Sequence, residues 1–182
     1  GKPITGFGDT SGDILFIGLA PAAHGGTRTG RVFTGDKSSD FLYKCLHKAK
    51  ISNQSNSDHV NDGLKLNKAY ITTALKCVPP EDKPLKKELD NCSRFFNQEI
   101  KFLSNVKTIV ALGKIAFDAC KYFYQKEFSL DKKIKFGHGK IYKLENGISL
   151  VGCYHPSPRN VNTGRINEKK MVSLFNKIKK IN

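Results

Sequence analysis

Four short apolar runs, Asp13 to Leu19, Ala69 to Leu75, Thr108 to Leu112 and Ile148 to Tyr154, punctuate this chain, and between them apolar residues recur at helical spacing. Helical spacing runs from about Ser38 to Lys50, from Leu85 to Leu103 and from Ile115 to Tyr124, and a last amphipathic segment covers Asn167 to Lys180. Strands that alternate with helices are joined by crossovers and pair in parallel, so both sheet faces are covered and each strand reads as a continuous apolar run. The pattern predicts an α/β fold with a mainly parallel sheet in one domain over residues 1–182. Lys140 to Leu144 joins the last run through Glu145-Asn146-Gly147, a hairpin-like turn. The polar stretch from Ile51 to Leu66 reads as a loop, and 125–135 as an exposed, charged connection. GKPITGFGDTSGD at the start reads as an entry loop.

Two loops stand out because they follow strands, where open α/β sheets bind ligands. The first, Gly18 to Asp36 (GLAPAAHGGTRTGRVFTGD), is rich in glycine and contains one carboxylate, Asp36. Its glycines let backbone approach a ligand and offer N–H donors. Arg28 and Arg31 are of a type that holds phosphate, and Phe33 can stack on a base. Neither the P-loop nor the dinucleotide pattern is present. The second loop, His155 to Arg165 (HPSPRNVNTGR), places a histidine at a strand end, and Pro156 and Pro158 stiffen the turn that presents His155 and Arg159.

Charge narrows the partner. The chain carries 31 Lys plus Arg against 16 Asp plus Glu, a formal charge of +15. Such a surface attracts polyanions, and neutralising phosphates releases counterions. No apolar run is long enough to span a bilayer. Five cysteines, an odd number, without a secretion signal argue a reducing compartment and no disulfide framework. Cys45, Cys120 and Cys153 fall on apolar faces, whereas Cys77 precedes a Pro-Pro pair and Cys92 lies in the helix that follows.

The two loops together, with Ile71-Thr72-Thr73-Ala74-Leu75-Lys76-Cys77 and Val110-Ala111-Leu112-Gly113, resemble the uracil-DNA glycosylase superfamily, in particular family 5, the UDGb type of bacteria and archaea. The resemblance implies a three-layer αβα sandwich around a four-stranded, mainly parallel sheet. It also implies a monomeric, monofunctional hydrolase that removes uracil from double-stranded DNA in base-excision repair after the base is flipped out. It further implies a location in the bacterial or archaeal cytoplasm, with the nucleoid, away from membranes. By the same resemblance Phe33 stacks on the flipped base, Gly18, Leu19 and Ala20 line its pocket, and His155 donates to the base oxygen that gains charge. Pro158 and Arg159 enter the minor groove, supported by Asn160, Asn162 and Arg165. Better-known relatives carry a water-activating Asp or Asn where this chain has Ala20, so Asp36 is the expected catalytic carboxylate. His24 is a weaker candidate, and an N-cap is the competing role for Asp36. Thr73 stands where related families read uracil with Asn, which implies a broader range including hypoxanthine. The alternatives are a DNA-binding relative without catalysis and a hydrolase of free nucleosides.

The resemblance also bears on the cysteines. Members hold a [4Fe–4S] cluster on four thiolates, and Cys77 and Cys92 stand where the last two belong. The first two would then lie upstream of Gly1, so the chain reads as a fragment or a truncated form. The cluster is expected to be structural, because hydrolysis needs no electron transfer.

Overall fold

The computed structural model describes residues 3–22, 24–79, 84–127 and 133–182. Strands β1 (Phe7–Gly8), β2 (Ile14–Gly18), β3 (Ala69–Thr73), β4 (Thr108–Leu112), β5 (Ile141–Lys143) and β6 (Ser149–Cys153) form one six-stranded sheet in the order β1-β3-β2-β4-β6-β5. The inner four strands are parallel and are the four apolar runs of the sequence; Gly18 pairs with Thr73, Ile17 with Ala111 and Leu112 with Cys153. Two short antiparallel strands extend the four-stranded core, β1 on β3 and β5 on β6. β1 falls in the stretch read as an entry loop, because two residues are too few to show a period.

Side chains alternate across the strands and so divide the core between two helical layers. Ile14, Phe16, Val110, Leu112, Val151 and Cys153 face the layer of α2 (Lys37–Lys48) and α6 (Glu168–Ile181), where Phe16 meets Phe175 edge-on at 5.3 Å. Leu15, Ile17, Ile109, Ala111 and Leu150 face α3 (Lys86–Phe102) and α4 (Lys114–Glu127). The result is the three-layer sandwich. Helix α4 runs past Tyr124 to Glu127, into the stretch expected to be an exposed connection; residues 128–132 of that stretch lie outside the described residues. Among the described residues no helix is long and apolar enough to cross a membrane.

From β2 the chain passes to β3 on one side, then crosses back to β4 on the other. That reversal opens a crevice beyond the carboxyl ends of β2 and β4, the usual binding position in such sheets. The two loops that follow β2 and β6 each contain a short helix: α1 (Gly26–Thr29) in the glycine-rich loop, and α5 (Pro158–Asn162) in the His155 loop.

Candidate active site

A cavity of about 390 Å³ occupies this crevice. Leu19, Pro21, Phe33, Leu112 and Ile115 give it apolar walls, and Asp36, Ser38 and His155 supply polar groups. The mix of apolar walls with a few convergent polar groups is that of a small-ligand site. Lys114, Ile115 and Ala116, the first turn of α4, also line it, so that helix's free N–H groups and positive dipole end favour negative charge there.

Phe33, Asp36 and His155 each sit against a glycine, and this explains their placement. A Cβ on Gly18 would lie 2.7 Å from Cε2 and Cζ of Phe33. One on Gly25 would collide with Oδ2 of Asp36, and one on Gly113 would lie 3.2 Å from Cβ of His155. The glycines of the sequence therefore act mainly by letting three side chains close on backbone, in addition to any approach of ligand to backbone. Phe33 also holds φ at +48°, a left-handed conformation costly for a bulky residue.

Asp36 is both a cap and a cavity residue. Its Oδ1 accepts the Ser39 N–H at 2.8 Å, and the Ser39 hydroxyl lies 3.0 Å from the Asp36 N–H, closing a capping box at the start of α2. The N-cap role is thus real and coexists with exposure to the cavity. His155 leaves the end of β6, and its carbonyl accepts Nδ2–H of Asn160 at 2.9 Å. Burial pulls the His155 imidazole below its ordinary pKa, and the charge of Asp36 opposes that shift in part.

The structure redistributes the other expected site residues. Arg31 does not face a phosphate. Its guanidinium is 5% exposed, grips Asp62 at 2.7 and 2.9 Å, donates to Ser57 and Thr34 at 2.9 Å, and lies 4.9 Å from the ring centre of Phe7. Ser57 and Asp62 come from the polar loop at 51–66, where Asp62 also accepts backbone N–H groups of Asp58, His59 and Leu64. Arg28 is exposed and straps its own loop through the carbonyls of His24 and Gly35. His24 is exposed and outside the cavity wall.

Pro158, Arg159, Asn162 and Arg165 are exposed on or beside α5, which starts from a Ser157 N-cap with Pro158 in its first turn. The expected rigid turn is thus one turn of helix. The half-buried Asn160 side chain braces the His155 carbonyl. Leu19 and Ala20 line the cavity, while Gly18 is buried beside the Phe33 ring. Thr73, the register partner of Gly18, is 1% exposed, and its Oγ1 has no hydrogen-bond partner among the described residues. Thr73 does not line the cavity. Leu112 and Gly113 belong to a stretch that carries the resemblance, but the wall they form with Lys114, Ile115 and Ala116 was not assigned to the site from sequence; a strand, a glycine and a helix in succession at a carboxyl edge are the pattern that marks it.

The family model described as the uracil DNA glycosylase superfamily matches residues 5–179. The chain belongs to the uracil-DNA glycosylase superfamily. A type-5 uracil-DNA glycosylase of Mycobacterium tuberculosis is 41% identical over 182 residues, covering 100% of this chain and 67% of that protein. The Thermus thermophilus type-5 enzyme is 41% identical over 181 residues, 99% of this chain and 80% of that protein. A type-4 enzyme of Archaeoglobus fulgidus is more distant, 25% identical over 158 residues.

In this superfamily member the cysteines fall into two groups. Cys45, Cys120 and Cys153 are buried; burial pushes the thiols of Cys45 and Cys120 up to about 12 and that of Cys153 upward as well. They are core residues that resist becoming thiolate ligands. Cys77 is exposed after β3 and Cys92 is half-exposed on α3. These two are the accessible thiols among the described residues. Among the described residues no three His, Cys, Asp or Glu side chains gather to hold a metal.

Proposed function

We propose that this cavity receives a base extruded from double-stranded DNA, chiefly uracil, and that the chain hydrolyses its N-glycosidic bond in base-excision repair, as a monomer whose site is complete within one chain. The observation that carries the reading is the convergence of Phe33, Asp36 and His155 on one apolar cavity, beside exposed Pro158 and Arg159. The names of the relatives agree with it.

The chemistry follows from the positions. The base stacks on Phe33. As the C1′–N bond breaks, its electron pair goes to the base, and neutral His155 donates a hydrogen bond to the oxygen that becomes negative. The positive end of α4 adds to that stabilisation. Asp36 faces the positive charge left on the sugar and orients the water whose oxygen bonds to C1′; the water's proton leaves to Asp36 or solvent. A strong base at Ala20 is then unnecessary. The reaction is monofunctional. Lys76 is held by Glu99 at 2.5 Å and by Thr72 at 2.8 Å. Lys114 is the amine on the described cavity wall, and its exposed pair with Asp118 leaves it reachable, so borohydride reduction during turnover is the check: it should trap no protein–DNA adduct. No Asn or Gln lines the described cavity wall to read the edge of uracil, which supports a range extending to hypoxanthine.

The test is single-turnover excision on duplex DNA with one G:U pair beside the same assay on free deoxyuridine. An alkali-labile site in the duplex and no release from the nucleoside support the proposal. Tight binding without cleavage would mean a non-catalytic relative. His155→Ala should slow excision about 10²-fold while most DNA binding remains. The rate should also stay level as pH falls to the ordinary histidine range near 6.5 and drop only below it, because the neutral imidazole is the working form and burial holds it neutral. A rate that rises on acidification through that range would show the imidazolium to be the donor.

Cys77 and Cys92 are proposed as two of four ligands to a structural [4Fe–4S] cluster, the other two coming from outside the described residues. Their accessibility, against the burial of the other three thiols, supports this. The cluster would tie the loop after β3 to α3. Iron and sulfide analysis checks it: serine at Cys77 or Cys92 should reduce bound iron to background, and serine at Cys120 should not.

A further inference from the structure

Beside the base cavity lies a second groove of about 320 Å³, continuous with it at Gly113, Lys114 and His155. Its wall includes Tyr154, Asn160 and Arg165 and contains no carboxylate among the described residues. Arg165 is exposed, and its guanidinium rests 5.5 Å from the ring centre of Tyr154. That ring is itself fixed: it stacks on His138 at 5.1 Å with 10° between planes, and the Tyr154 N–H donates to Nδ1 of His138 at 3.1 Å. Asn160 braces the other side. Its side chain holds the His155 carbonyl, and its own carbonyl accepts the N–H of Ile166, the neighbour of Arg165, at 3.1 Å.

We propose that this groove grips a DNA phosphate next to the extruded nucleotide through Arg165, and that Tyr154 is the positioning residue that holds Arg165 ready. The contrast with Arg31 carries the argument. Arg31 is neutralised by Asp62 inside the protein, whereas Arg165 has no carboxylate partner among the described residues and is held by an aromatic face instead. An arginine restrained on a ring loses less rotamer freedom when it takes a phosphate, and its forked donors suit that ligand. The site adjoins His155, so the phosphate it meets belongs to the nucleotide whose base fills the cavity or to the next one. Lys114 lines the opposite end; its ion pair with Asp118 is exposed and weak enough for a phosphate to displace.

This rests on the base-excision reading above, and one assay separates the two. Single-turnover excision is measured on G:U duplexes over a range of protein and salt concentrations. If the wild type fails on the unmodified duplex, the excision reading falls. If it succeeds, Arg165→Met should raise the half-saturating concentration roughly tenfold, the low end for a charge-assisted hydrogen bond. It should also reduce the salt slope by about 1 and leave the saturated rate within about twofold. Tyr154→Leu should reproduce this, and Tyr154→Phe, which keeps the ring, should not. Duplexes carrying one neutral methylphosphonate linkage beside the uracil identify the phosphate: the wild type loses about tenfold at one linkage, and Arg165→Met loses nothing more there. An unchanged salt slope for Arg165→Met, or equal methylphosphonate losses for wild type and variant at every linkage, overturns the clamp.

Discussion

Asp36→Asn should slow uracil excision by between about 10² and 10⁴-fold, the span of a single acid–base or positioning group. This substitution is chosen because Asn caps a helix as well as Asp does. The capping box at the start of α2 survives, since an amide oxygen can still accept the Ser39 N–H that Oδ1 accepts at 2.8 Å. Only the negative charge facing the cavity is removed. Asp36→Ala would mix the two effects by also removing the cap, at about 1 kcal/mol of stability. Single-turnover rates and thermal melts on the Asn variant decide the matter. A wild-type rate with a wild-type melt would confine Asp36 to capping and leave the sugar's positive charge to other groups.

Asp62→Asn should cost about 3–5 kcal/mol of stability, the range for a buried ion pair that loses one partner. The side chains of Arg31 and Asp62 are 5% and 6% exposed, so the orphaned guanidinium would remain desolvated. Urea denaturation measures the loss, and a change below about 1 kcal/mol would show the pair to be dispensable. Replacing both residues with apolar ones of similar size should cost less than the single change. The same pair gives an acid limit. The Arg31 guanidinium holds the Asp62 carboxyl well below the usual carboxylate range, helped by backbone N–H groups. Its contribution is therefore complete above the unfolded value near 4 and is lost as pH falls below it. Arg31 lies two residues from Phe33, so the Asn variant should also bind substrate more weakly.

The sheet and the layers were legible in the sequence because they depend on local period. Continuous apolar runs bury on both faces, and the 3.6-residue spacing of Leu42, Cys45, Leu46 and Ala49 marks the buried side of α2. The site was legible through its loops, since position after a strand and the types of His155, Asp36 and Phe33 limit what they can do. Arg31 shows where this stops. In sequence it resembles Arg28, and both stand in a glycine-rich basic loop. What separates them is Asp62, 31 positions away, which the fold brings within 2.7 Å of one and not the other. The partner of Asn160 was hidden for a similar reason, because a polar residue in a turn gives no sign that its amide meets the His155 carbonyl.

The alternating strands and helices, the excess of positive charge and the loops that carry Phe33, Asp36 and His155 could be read from residue order, all properties of single residues or short windows. The tertiary structure alone decided which charges are spent internally, which glycine receives which side chain, and that the first turn of α4 forms a wall of the cavity. Those are close contacts between segments far apart in the chain. Their energies depend on desolvation and steric fit over a few ångströms, quantities that have no local trace in the order of residues.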